Sequence, residues 1–270
     1  MPSLKVNDVS LYYEIHGKGI PLLLIMGLRR NLEWWYGQIA ELSKHFQVLA
    51  FDNRGAGRSD KPIMEYGIDL FADDTARLMD ALGIQSAHIL GISMGGYIAQ
   101  ELALHHPDKI RSLILGCTSC GGSRAVLMSE ERMKKFTANE GLSTDEILRK
   151  DMDIYFSDRF IEEQPEKVEK FINISLMYYQ PADSFFRQFA ACLKHDTADR
   201  LSSVKVPVFI MAGDDDPLVP SKNSLILQEL LPGSTLCFFP SRRHCFFIEE
   251  AARFNRKVIE FITSIENALL

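Results

Sequence analysis

Five short stretches of this chain are dominated by apolar residues: Leu22–Ile25, Val48–Phe51, Ala87–Ile92, Ile110–Gly116 and Val208–Met211. A strand with one face in water alternates polar and apolar side chains, whereas a strand covered on both faces does not. Between them lie segments with helical spacing. Ile68–Leu82 repeats apolar residues at Leu70, Phe71, Ala72, Leu78 and Leu82 before Gly83, and Met94–His105 is stopped by Pro107. Strand, helix, strand, helix in this order predicts a mostly parallel sheet with right-handed crossovers. At the start, Leu4–Val6 and Leu11–His16, with Gly17-Lys18-Gly19 as a turn, predict a hairpin. Leu32–His45 has helical spacing through Trp35, Ile39 and Leu42.

The rhythm breaks at Gly121-Gly122. From Ser123 to about Arg200 the pattern is helical throughout, over Ser129–Asn139, Thr144–Phe156, Pro165–Tyr179 and Ala182–Leu193. Strands and helices resume at Val208–Met211, Ser221–Leu231, Thr235–Phe239 and Phe246–Asn267. The expected architecture is an α/β core of residues 1–121 and 201–270, with a helical insert, 122–200, after the sixth strand.

Composition removes several function classes. With 46% apolar residues the chain is not a disordered segment, and its longest apolar run, Pro21–Met26, is far too short to span a bilayer. Its 30 basic and 36 acidic residues give a net charge of −6 and form no basic stripe, which argues against a nucleic-acid partner. Five scattered cysteines do not form a disulfide framework. Cys117-Thr118-Ser119-Cys120 has no second pair or histidine cluster to complete a zinc site, so these are expected to be buried or semi-buried thiols. Met1–Val6 carries no signal-like segment, and the expected location is cytoplasmic.

Gly91-Ile92-Ser93-Met94-Gly95 joins an apolar strand to a helix. A turn this sharp lifts a serine hydroxyl above the sheet edge, and glycines are needed where a side chain would strike neighbouring backbone. A serine there needs a base, and the base needs an acid to orient it. Both follow later in the chain: strand Val208–Gly213 runs into Asp214-Asp215-Asp216-Pro217, and strand Thr235–Phe239 is followed by His244. Of the other histidines, His105 and His106 sit at a helix C-terminus, His16, His45 and His88 flank strands on the far side, and His195 is the one rival. Attack on a carbonyl also requires two backbone N–H donors for the oxyanion. Met94, at the helix N-terminus, supplies one, and Leu28, in the loop after Leu22–Ile25, is nominated for the other.

Leu24–Gly27, Phe51–Ser59, Gly91–Gly96, Gly213–Pro220 and His244 together make the chain resemble the α/β-hydrolase fold superfamily over essentially its whole length. Within it the chain is most similar to the carboxylesterase and 3-oxoadipate enol-lactonase-like branch. The resemblance implies that the insert is a cap over the site and that Asp52–Ser59 is a structural turn. It also implies that the acid is Asp216, directly before the Pro-x-x-Pro stretch, with Asp215 second.

Three positions depart from the family pattern. Met26 stands where histidine is usual, Arg29-Arg30 replace small residues, and Arg243 replaces a glycine. Such arginines could attract a substrate carboxylate, but the expectation is that they point outward and pair with surface acids. Aromatic and methionine side chains of the insert pack partly against the core, the default for each taken singly, but some, Tyr155 and Met177 among them, are expected with Trp34 and Trp35 to roof a partly apolar substrate pocket.

The expected activity is hydrolysis of a small ester or lactone through Ser93, His244 and Asp216. No metal or organic cofactor is implied, and the chain is expected to be a monomer or homodimer. A C–C bond hydrolase of ring-fission products is the enzymatic alternative, and a small-molecule receptor retaining the triad is the alternative from another class.

Overall fold

In the computed structural model, residues 2–178 and 180–268 are described. The eight strands are β1 (Ser3–Val6), β2 (Val9–His16), β3 (Pro21–Ile25), β4 (Gln47–Phe51), β5 (Ala87–Ile92), β6 (Ile110–Gly116), β7 (Val208–Gly213) and β8 (Thr235–Phe239). They form one sheet in the order β1-β2-β4-β3-β5-β6-β7-β8, parallel from β4 to β8, with β1 and β2 antiparallel at one edge. The mostly parallel α/β fold expected from the apolar runs is therefore present. The hairpin turn differs: β1 and β2 close at Asn7-Asp8, where Asn7 takes a positive φ of 50°, rather than at Gly17-Lys18-Gly19. Asparagine tolerates that conformation, so a tight turn forms without glycine.

Twelve α-helices accompany the strands among the described residues: α1 (Ile39–Leu42), α2 (Ile68–Ala81), α3 (Met94–His105), α4 (Glu130–Thr137), α5 (Thr144–Lys150), α6 (Met152–Tyr155), α7 (Asp158–Glu163), α8 (Pro165–Leu176), α9 (Ala182–Lys194), α10 (Lys222–Leu230), α11 (Phe246–Glu249) and α12 (Ala251–Ala268). Two expected helices are broken. Leu32–His45 splits into a 3-10 turn, Leu32–Trp35, and α1, while Thr144–Phe156 splits at Asp151 into α5 and α6. The segment read as Pro165–Tyr179 is helical to Leu176, and Tyr179 lies outside the described residues. None of the described helices is long and apolar enough to cross a membrane.

Alternate residues of the central strands serve opposite faces. Leu22, Leu24, Val48 and Ala50 pack with α12 and the aromatic residues near it, whereas Leu23, Ile25, Leu49 and Phe51 pack with α2 and α3. The first cluster runs on into α5–α8 through Leu148, Ile154, Phe156 and Phe171, so the helices between β6 and β7 share the core of the sheet. Gly121 and Asp196 pair in an antiparallel bridge where the chain leaves and re-enters.

Beside that bridge, His195 is buried and its ring stacks on Tyr97, with centroids 4.3 Å apart. Burial, helped by the Arg200 charge, pushes His195 down to about 3 from an ordinary 6.5. Burial likewise pushes His88 down to about 4. Above pH ~6.5 the folded and unfolded chains both hold these rings neutral; below it only the unfolded chain takes up protons, so stability falls with pH. The thermal unfolding midpoint should drop as pH is lowered from about 7 to about 5. His195→Phe, which keeps the stacking partner of Tyr97, should show a smaller drop. An unchanged drop in that variant would remove His195 from the account.

Candidate active site

The strand register brings five loops to one edge. Ile25 pairs with Gly91, Ile92 with Gly116, Gly116 with Met211 and Gly213 with Phe239, so β3, β5, β6, β7 and β8 all end at one level. At this carboxyl edge the chain leaves β5 at Ser93, which is held at φ 57°, ψ −121°. Few non-glycine residues adopt such a conformation, and it persists only where the surroundings dictate it. Here they do: a Cβ on Gly91 would lie 2.2 Å from the Gly95 carbonyl oxygen, and one on Gly95 would lie 2.1 Å from that of Ile25. The Ser93 N–H is fixed by the Gly116 carbonyl at 2.9 Å.

His244 and Asp216 meet at the same edge. His244 Nδ1 lies 2.8 Å from Asp216 Oδ2, and both side chains are buried. The second oxygen, Asp216 Oδ1, accepts from the Leu218 and Val219 N–H groups at 2.8 and 3.0 Å, which fixes the carboxylate's orientation. Asp215 points elsewhere, exposed and bonded to Arg243 at 3.2 Å. Asp214 accepts from the Ser241 N–H at 2.6 Å. Geometry therefore separates the three adjacent acids.

Ser93 and His244 are not joined by a direct hydrogen bond among the described residues. Instead, His244 Nε2 lies 4.0 Å from the Cys117 thiol, at the end of β6. Catalytic hydrogen bonds are commonly long before substrate binds. Cys117 was expected only as a buried thiol, and it is buried and free; burial holds its thiol well above the ordinary range. Its place beside the imidazole has no sequence signal, because the contact joins residues 127 apart. Cys117, Asp216 and His244 also form a group with metal-ligand chemistry, although one member is already bonded to another.

The loop after β3 touches the elbow directly. A Cβ on Gly27 would lie 3.0 Å from Ser93 Cβ. The Leu28 N–H has no acceptor among the described residues. Met94 opens α3, so its N–H lacks an intrahelical acceptor. Two elements hold this loop. Asn53 Nδ2 donates to the Met26 carbonyl at 2.9 Å, and buried Asp52 accepts from the Leu32 and Arg58 N–H groups, both at 2.7 Å. From α9, the fully buried Gln188 accepts from the Arg29 N–H at 2.9 Å and donates to the Arg54 carbonyl at 2.8 Å. In the sequence nothing distinguishes Gln188 from any glutamine of an amphipathic helix. Gln188→Leu leaves the Arg29 N–H and the Arg54 carbonyl without their partner, a penalty of about 1–3 kcal/mol per buried group. Esterase assays should show kcat falling about tenfold with KM little changed; a change confined to KM would place Gln188 in substrate binding instead.

The residues expected to roof the pocket divide. Trp34 and Tyr155 come together with Phe171, with Trp34–Phe171 centroids at 4.5 Å and Tyr155–Phe171 at 5.4 Å. Trp35 does not join them: it packs against Phe247, although Trp34, Trp35 and Tyr155 are all buried. Met177, just beyond α8, is 53% exposed and stands apart from the buried aromatic group. The rival His195 is stacked on Tyr97 at the insert junction, whereas Asp216 bonds His244. Arg243 pairs with surface acids, Asp158 at 2.8 Å and Asp215 at 3.2 Å, but does not point outward: its side chain is only 12% exposed. It also donates to the Asp153 and Phe156 carbonyls at 2.9 and 3.1 Å, tying α6 to the histidine loop.

Residues 20–251 match the family model for the alpha/beta hydrolase fold. The chain is 30% identical over 266 residues to an Azorhizobium caulinodans protein named "Putative carbamate hydrolase RutD", covering 98% of this chain and all of that one. The crystal structure of the enol-lactonase from Burkholderia xenovorans superposes with a TM-score of 0.86 at 25% identity, covering 97% of this chain and 100% of that one. The meta-cleavage product hydrolase from Pseudomonas fluorescens superposes with a TM-score of 0.83 at 28% identity, covering 98% of each chain.

Proposed function

Because the chain belongs to the α/β-hydrolase fold family and is a hydrolase, we propose that it cleaves carboxylic ester or lactone bonds of small, partly apolar substrates with Ser93 as nucleophile. The observation that carries this reading is the Asp216–His244 hydrogen bond at the edge where Ser93 stands in a strained turn. Ser93 Oγ attacks the carbonyl carbon as His244 Nε2 takes its proton. Asp216 keeps the remaining proton on Nδ1 and stabilises the imidazolium. The negative oxygen of the tetrahedral intermediate is received by the Leu28 and Met94 N–H groups. Collapse expels the alcohol, which takes its proton from His244, and leaves an acyl group on Ser93. Water, deprotonated by His244, then attacks that ester and frees the acid and the serine. The name of the Burkholderia relative, an enol-lactonase, supports a carbonyl substrate with an oxygen leaving group, and that of the Azorhizobium relative supports a carbonyl substrate.

A panel of 4-nitrophenyl esters and lactones, with a fluorophosphonate label, tests this reading. Multiple turnover and stoichiometric labelling of Ser93 are expected. No turnover together with labelling elsewhere would overturn it, and single-turnover acylation with a large ligand-induced thermal shift would point to a receptor. A second reading, hydrolysis of a C–C bond in a ring-fission product, is favoured by the similarity to the Pseudomonas hydrolase. Preferential turnover of a vinylogous diketone over short esters would establish it.

A further inference from the structure

The expectation for Arg29 and Arg30 is that they pair with surface acids, as Arg243 does. They do not. Neither makes a salt bridge among the described residues, although carboxylates pair with the arginines at 54, 58 and 243. The Arg29 backbone is held at φ 68°, and its guanidinium faces the Phe185 ring of α9 at 5.9 Å. The Arg30 guanidinium lies 4.0 Å from the Trp34 ring centroid and 5.3 Å from that of Tyr155, and donates to the Tyr155 hydroxyl at 2.9 Å. Among the described residues that is one engaged donor on Arg30 and none on the Arg29 side chain. Asp151, one helical turn before Tyr155, does not neutralise them: its nearest cation is Lys150, at 3.4 Å.

Two adjacent cations, both half-buried and without a counter-charge, oppose one another. Burial and the neighbouring Arg30 charge together lower the Arg29 pKa. Aromatic rings face both guanidiniums, Phe185 that of Arg29 and Trp34 with Tyr155 that of Arg30, but a ring supplies no negative charge and leaves the in-plane N–H donors free. An anion between them would relieve the repulsion and fill their free donors. The pair sits two and three residues past Gly27, which packs on Ser93, and Tyr155 lies next to the histidine loop, its carbonyl accepting from the Cys245 N–H at 2.8 Å. We propose that Arg29 and Arg30 form an anion subsite beside the nucleophile, and that the substrate carries a carboxylate apart from the ester or lactone bond that is cleaved. This rests on the hydrolytic reading above and narrows its substrate class. In a protein of net charge −6, a local cationic pair is what draws such an anion in.

Paired substrates test it. Monomethyl succinate and monomethyl glutarate should be hydrolysed with kcat/KM at least about tenfold above methyl butyrate and methyl valerate, which replace the carboxylate with a methyl group. The ratio should shrink with added salt and fall towards one in Arg29→Met and Arg30→Met, with Arg30→Lys between. Since Arg30 is stacked on aromatic rings, Arg29→Met carries the test if Arg30→Met does not fold. Calorimetry of glutarate binding to the Ser93→Ala protein, with and without the arginine substitutions, needs no turnover. Turnover of both ester classes without preference, or a preference that survives both substitutions, overturns the subsite and leaves the hydrolase reading standing. Turnover of neither class, with glutarate binding that requires the two arginines, supports the subsite and overturns that reading.

Discussion

Ser93→Ala should lower turnover of a competent ester by about a thousandfold or more, with no loss of thermal stability. The hydroxyl is at the tip of the elbow and its side chain makes no hydrogen bond among the described residues, so removing it costs the fold nothing. His244→Ala should be as damaging, because proton transfer and attack are one event. The two losses should not add: once the serine is gone the imidazole has nothing to activate, and the double variant should match the worse single one. Steady-state rates on one ester settle this. If Ser93→Ala remained active, attention would pass to Cys117, whose thiol lies 4.0 Å from the same imidazole nitrogen, and Cys117→Ala would then abolish the activity.

Asp216→Asn should cost about a thousandfold to ten-thousandfold in kcat, while Asp215→Asn should stay within about twofold of the parent. Asparagine keeps the size of the side chain but can present an amide N–H to His244 Nδ1. The imidazole must then accept there, which leaves the proton on Nε2 and the ring unable to act as a base. The carboxylate oxygens of Asp216 are fixed by His244 on one side and two backbone N–H groups on the other. Among the described residues the Asp215 side chain meets Arg243 alone, which has Asp158 and two backbone carbonyls besides. The reverse ranking of the two variants would reassign the acid.

What the sequence could reveal was set by how local each signal is. The sheet is legible because unbroken apolar runs such as Leu22–Ile25 are unsuited to any half-exposed strand. The elbow is legible because Gly91 and Gly95 sit where a methyl group would strike a carbonyl about 2 Å away. Helix ends in the insert were less so. Asp151 breaks Thr144–Phe156 although apolar spacing continues through it, and α7, 6 residues long, is too short to show a helical repeat. Long-range pairings left no trace at all. Arg243 and Arg30 look alike as letters, yet one meets Asp158 and the other two aromatic rings. Gln188 and Cys117 likewise acquire their surroundings only when elements more than a hundred residues apart fold together.

The amide of Gln188 has a consequence for how such a protein can diversify. One side chain of α9, in the segment proposed to cover substrate, also braces the loop whose N–H is proposed to receive the oxyanion. Grafting the corresponding segment of a relative onto this scaffold would therefore alter rate as well as selectivity. A chimaera that keeps a glutamine at this position should outperform one that does not, whatever ester it is given, so the two halves of the molecule evolve under a shared constraint rather than as interchangeable modules.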